Sequence, residues 1–152
     1  MSQSSEIAED ERRAWLGVLA KAPPEALLAL VEPLSLPACT PLRQAETGLV
    51  MARGRAGGSG QRFNLGEVTV TRAAVSSPAG HVGHGYVQGR DKRHAELAAI
   101  LDALLQDAGE RPALMAAVIR PLAAMQAERR ERIARKAAAT RVEFFTLVRG
   151  DG

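Results

Sequence analysis

The chain has 152 residues, of which 46% are hydrophobic and 24% are charged. This length and balance predict one globular domain with a single core, and they exclude a disordered chain. Aromatic residues make up only 3%, so the core is expected to be built from Ala, Leu and Val packed at close backbone approach.

Cysteine content and the apolar segments indicate a cytoplasmic protein. The single cysteine, Cys39, cannot form an internal disulfide, which suits a reducing compartment. The apolar stretch 95–105 is interrupted by Glu96 and Asp102 and is too short for a membrane span. The first eleven residues carry four acids and no base, whereas a secretory signal would begin with bases.

Charge is unevenly distributed, although the net charge is only +3. Residues 120–141 hold seven bases against Glu128 and Glu131. Such a segment is either a solvated helix surface or a contact for an anionic ligand, nucleic acid or acidic protein.

The N-terminal part, residues 9–44, predicts a helical arm followed by a connector. A short helix is expected from Glu9 to Ala20, and a second helix follows Pro23-Pro24 and continues to about Val31. Residues 1–8 are expected to be disordered. An extended connector then follows, because the residue before each proline is steered away from helix. The connector prolines are Pro33, Pro37 and Pro41.

Alternating apolar and polar residues predict an antiparallel meander over 45–88. Its strands lie around 49–52, 68–74 and 82–88, and the glycine-rich segment 54–60 forms a hairpin loop.

Helices and a short tail are predicted after the meander. Leucines at three- and four-residue spacing indicate a helix from its N-cap Asp91 to about Gly109. Pro121 begins another helix, alanine-rich enough to persist to about Thr140, and the tail 141–149 resembles a strand.

The sequence therefore predicts one α+β domain, an antiparallel meander with an N-terminal helical arm and C-terminal helices packed on it. The predicted segments are 1–8, 9–44, 45–88, 90–140 and 141–149.

The segment from Gly89 to Glu96 is the main candidate site. Arg90, Lys92 and Arg93 cluster at a helix N-terminus that already carries partial positive charge, so an anion or acidic partner would relieve their repulsion. Asp91 and His94 complete the candidate set. The alternative is a capping turn with a half-buried histidine.

Arginines of the predicted sheet form a second candidate set. Around the glycine loop, Arg53, Arg55 and Arg62 fit either a flexible hairpin or an ordered interface or anion loop, and the glycine spacing matches no standard phosphate motif. Arg72 alternates with Val68 and Val70, so it either reaches solvent at a strand end or forms a buried or interfacial ion pair. Its candidate partners are Glu46 and Glu67.

Catalytic and metal sites are not predicted for this chain. His81 and His84 are three residues apart on a strand and so point to opposite faces. No nucleophile with an identifiable base emerges from the sequence either.

Several segments resemble the PhnG subunit family of the carbon-phosphorus lyase system. They are Ala45–Val50, Gly57–Phe63, Thr69–Val75, Gly89–Glu96 and Arg141–Asp151, together with the opening that carries Trp15 and Leu19. The resemblance covers about Arg12 to Asp151 in the same order and at compatible spacing.

This resemblance implies an accessory subunit of an enzyme complex with the PhnH, PhnI and PhnJ subunits and the associated PhnL and PhnK proteins. It implies a reaction in which a phosphonate displaces adenine from ATP to give a ribose 1-phosphonate 5-triphosphate. No cofactor is expected on this chain, and the iron-sulfur cluster with S-adenosylmethionine belongs to another subunit. The family pattern assigns no catalytic residue to this subunit.

Two other functions fit the residues. A small RNA-binding module is suggested by the basic composition and the Arg-Gly loop, but only Phe63 and Tyr86 offer stacking rings in the sheet region, so nucleic acid is not expected as a partner. The other is a free-standing phosphate-ester enzyme that uses Arg90 and His94.

Overall fold

The computed structural model describes the backbone of residues 2–55 and 60–150, and within them the side chains of residues 9–54 and 60–141. The α+β class and the antiparallel meander are confirmed, and the strand order is β1-β2-β3. The elements are α1 Ser2–Lys21, α2 Pro24–Val31, β1 Thr40–Arg55, β2 Arg62–Ser76, β3 Val82–Gln88, α3 Lys92–Leu105, α4 Arg111–Leu114, a π-helical turn Met115–Ile119 and α5 Arg120–Gly150.

The sheet consists of one long hairpin and one short strand. β1 pairs with β2 from Thr40↔Ser76 to Arg55↔Arg62, which confirms the predicted hairpin. β3 has the predicted bounds and pairs only with the Val70–Ser76 part of β2. β1 begins earlier than the predicted Ala45 because Pro41 is tolerated on an edge strand.

Helix α3 lies at the centre of the molecule and packs with two different faces. Its alanine face, made of Ala95, Ala99 and Ala103, lies directly on β3. A Cβ atom on Gly85 would overlap the carbonyl oxygen of Ala95, and one on Gly83 would overlap that of Ala99. Glycine on the strand and alanine on the helix therefore permit a close backbone approach.

The leucine face of α3 packs against the other helices. Leu97, Leu101, Leu104 and Leu105 contribute the α3 side of this core. The facing residues are Trp15, Leu19, Leu27, Val118, Ile119 and Leu122. The expected core of Ala, Leu and Val is confirmed, with Trp15 as the aromatic residue in this cluster.

Both ends of the chain differ from prediction. α1 begins at Ser2, so the predicted disordered segment is helical from that residue, where no glycine or proline interrupts the chain. The strand predicted for 141–149 is corrected to helix, because α5 continues to Gly150. Once a helix exists, each added residue gains a hydrogen bond, and Val, Phe or Thr costs only a few tenths of a kcal/mol relative to Ala.

Pro121 lies in the first turn of α5, as predicted, and a π-helical turn precedes it. Because proline has no N–H to offer the carbonyl four residues earlier, a local widening of the helix is expected at this point.

Among the described residues, no single helix combines the length and apolarity needed to cross a bilayer. Glu9–Lys21 and Pro24–Val31 reach that length and apolarity only when they are taken together, and the chain bends by 113° between these two helices.

Candidate functional site

A buried carboxylate, Asp102 on α3, connects three elements of the fold. Its Oδ1 accepts hydrogen bonds from Arg12 Nε at 3.1 Å and from Trp15 Nε1 at 2.9 Å. Its Oδ2 accepts from Arg12 Nη2 at 2.9 Å and from the backbone N–H of His84 at 2.9 Å. The carboxylate therefore ties α3 to α1 and to β3.

These four hydrogen bonds occupy the acceptor positions that a carboxylate offers, so Asp102 stabilises the fold. The hydrogen bond to Asp102 raises the pKa of the Arg12 guanidinium, although burial acts in the opposite direction. The sequence showed Asp102 only as an interruption of an apolar run. The available signal was that an acid within a leucine-rich helix face must find partners.

The junction between β3 and α3 is ordered by Asp91 and His94. Asp91 Oδ1 accepts from the backbone N–H of His94 at 3.0 Å, which confirms the predicted N-cap. The buried His94 ring places Nε2 2.8 Å from the carbonyl oxygen of Leu19. A carbonyl only accepts, so Nε2 carries the proton and His94 links the end of α1 to the start of α3.

The three cations of this junction do not converge on one point. Arg93 lies 3.8 Å from Glu96 and lines a groove beside α2. Lys92 lines a different cavity, beside β1, and Arg90 is exposed in the turn. The self-repulsion expected from the sequence is therefore relieved in part by separation.

A different set of cations lies around the start of α3. Lys21 at the end of α1 and Arg129 and Arg130 on α5 line an open cavity of about 630 Å³. Asp91 and His94 belong to the same wall. The fold thus combines the predicted helix start with bases that are distant in sequence.

Three candidate arginines of the sheet, Arg53, Arg62 and Arg72, are exposed. Arg72 is exposed, as one of the two alternatives predicted, and the register places Glu46 and Tyr86 on either side of it. Arg62 is exposed at the start of β2, opposite Arg55 in register. The side chain of Arg55 and loop residues 56–59 lie outside the described residues, so the predicted anion loop is untested.

Within the parts of the chain that the structure describes, no group of three or more His, Cys, Asp or Glu side chains is arranged to hold a metal ion. The buried polar side chains of Asp102 and His94 make hydrogen bonds that hold the elements of the fold together.

The family model described as "Phosphonate metabolism protein PhnG" matches residues 10–150. The chain is also 46% identical over 149 residues to the alpha-D-ribose 1-methylphosphonate 5-triphosphate synthase subunit PhnG of Rhizobium meliloti (strain 1021). That alignment covers 97% of this chain and 95% of the relative.

Proposed function

This chain belongs to the PhnG family of phosphonate metabolism proteins, and from that premise we propose that it is a non-catalytic subunit of an alpha-D-ribose 1-methylphosphonate 5-triphosphate synthase. In this proposal the assembled enzyme displaces adenine from ATP with a phosphonate. The chain itself is inactive alone and contributes to assembly.

The observation that supports a subunit role best is the exposure of α5. At about 1.5 Å per residue, this 31-residue helix is about 46 Å long. Every described side chain from residue 127 to residue 141 is exposed, including Ile133 at 58%. An amphipathic surface helix normally buries one apolar stripe, so this segment suits contact with another chain.

The proposed partners are the PhnH, PhnI and PhnJ subunits, with PhnL and PhnK as associated proteins. ATP is a substrate of the complex, and the iron-sulfur cluster and S-adenosylmethionine belong to another subunit. This chain holds no cofactor in the proposal. We propose the cytoplasm as its location, since a free thiol such as Cys39 suits a reducing compartment.

Co-expression tests the proposal. A tag on this chain, produced together with the H, I and J subunits, should recover all of them in constant ratio after size-exclusion chromatography. Complex lacking this chain should release little adenine from ATP and methylphosphonate, and addition of the purified chain should restore release.

Three results would contradict the proposal. They are recovery of this chain alone, adenine release by this chain alone, and nuclease-sensitive recovery of RNA with a steep salt dependence of binding. The last would favour the RNA-binding alternative, since phosphate contacts release counterions.

A further inference from the structure

The sheet has one face that α3 covers and one face that is mostly exposed, although Val70 on the second face is buried. Residues such as Ala73, Val75 and Val87 point toward α3 and are buried. The opposite side, here called the outer face, carries apolar side chains that are 36% to 65% exposed, together with Arg72. We define the outer face by Val50, Phe63, Leu65, Arg72, Val82 and Tyr86.

The apolar character of the outer face is unusual for a solvated surface. Antiparallel sheets that face water normally alternate apolar residues inward with polar residues outward. Here Leu65 is 65% exposed, Tyr86 51% and Phe63 47%. Large exposed apolar side chains grouped on one face of a sheet indicate an interaction site.

The outer face continues onto a two-stranded ribbon, residues 48–55 and 62–69. β3 pairs with β2 only from Val70 onward, so the ribbon extends past β3, by roughly 27 Å at about 3.4 Å per residue. None of its described side chains is buried. A two-stranded hairpin alone is marginally stable in water, so contact with another chain would hold the ribbon in place.

We propose that the outer face is the docking surface for a different protein chain, whose contacting surface is apolar opposite Phe63 and Leu65 and carries carboxylates opposite Arg72. This inference rests on the proposed function, because it names the surface through which the chain joins its complex. Tyr86, Phe63 and Arg72 belong to the residue types that are enriched at protein interfaces.

The charged residues of the outer face indicate which kind of protein binds there. Arg43 and Arg72 are exposed and line one open cavity with Val82 and Tyr86 of the outer face, and the acid beside them is Glu46, opposite Arg72 in register. A second copy of this face would add more arginines, whereas carboxylates can form paired hydrogen bonds with guanidinium groups.

Contact is expected at the face and not at the edge of the sheet. The pairing of β1 with β2 is irregular between Pro41 and Arg43, between Arg43 and Glu46, and between Ala52 and Arg53. Bulges twist a strand and hinder the addition of another strand at its edge. The side chains of the outer face therefore remain the available contact.

Two double variants of the ribbon test the proposal. Phe63→Ser with Leu65→Ser removes apolar area from the outer face. Leu49→Ser with Met51→Ser removes similar area from the opposite face of the same ribbon, where these residues are 63% and 50% exposed. Each full-length chain is titrated into complex that lacks it, and thermal unfolding of the isolated chain checks its folding.

The outer-face variant should bind roughly tenfold or more weakly, whereas the opposite-face variant should bind like wild type. Arg72→Glu should also weaken binding, and added salt should weaken wild-type binding. Equal binding by both double variants would overturn this inference and leave the proposed function standing. Failure of the wild-type chain to bind any partner would instead contradict the proposed function.

A second copy as the occupant gives a separate outcome. If light scattering shows that the isolated wild type is a dimer and that Phe63→Ser with Leu65→Ser makes it a monomer, the inference of a different, acidic partner is wrong.

Discussion

Helix α3 and the ribbon both carry large apolar side chains, yet these side chains have opposite surroundings. Ten residues of α3 are buried, and its polar Asp102 makes four hydrogen bonds. No described side chain of the ribbon is buried, and Leu65 is 65% exposed. Helix α3 therefore carries much of the stability of the isolated chain, whereas the ribbon has apolar area still to bury.

This difference in burial predicts that substitutions in the two regions have different effects. Changes in α3 or in the strand beneath it should unfold the isolated chain, because packed interiors tolerate neither added volume nor stranded polar groups. Changes on the ribbon or on the exposed part of α5 should leave the isolated chain folded and act on assembly.

The largest effect is expected from Gly85→Val. Its side chain would occupy the space of the Ala95 carbonyl, and backbone atoms cannot move aside as a flexible side chain does. The loss should exceed the roughly 1–3 kcal/mol typical of overpacking. Thermal unfolding should show no cooperative transition. Gly48→Val is the control, since no atom lies within 4 Å of its added Cβ. A wild-type transition for Gly85→Val would contradict the close packing of α3 on β3.

The next effect is expected from Asp102→Ala. Arg12 is 36% exposed and can reach water, but the Trp15 N–H and the His84 backbone N–H would lose their partner inside the protein. Removing one member of a buried ionic network costs about 3–5 kcal/mol. Denaturant unfolding measures the loss, and Asp10→Ala, at an exposed position of α1, is the control. A loss below about 1 kcal/mol would mean that Asp102 is not the structural link described.

A smaller effect is expected from Asp91→Ala. Loss of the N-cap should lower the free energy of unfolding by about 1 kcal/mol. Asp91→Asn keeps a side-chain oxygen for the His94 N–H and should retain most of that stability. If Asn were as costly as Ala, the negative charge and not the hydrogen bond would be the stabilising feature.

Local features of the sequence predicted more of this structure than distant contacts did. The β3 bounds, the hairpin and the Asp91 cap depend on neighbouring residues, and all three are confirmed. The helical end of α5 was not predicted, because Phe and Val favour strands only where a sheet is available to pair with.

The polar network was missed for a different reason. Arg12 and Asp102 are 90 positions apart, and only the fold brings them together. The same applies to Lys21 and Arg129, which meet around the cavity at the start of α3. Conversely, Arg90, Lys92 and Arg93 are adjacent in sequence but face separate surroundings. Charge spacing along the chain therefore indicated where bases occur but not which of them share a site.

The smallest effect on stability is expected on α5, where two apolar positions of the same helix differ in burial. Ile133 is 58% exposed, so Ile133→Ser removes little buried area and should change the free energy of unfolding by no more than about 0.5 kcal/mol. Leu122 is fully buried, so Leu122→Ala should cost about 2–5 kcal/mol. If α5 serves assembly, Ile133→Ser should reduce recovery of the H, I and J subunits with the tagged chain, although the isolated variant unfolds like wild type. Full recovery of those subunits would assign the exposed part of α5 to solvent and leave the outer face as the remaining candidate contact.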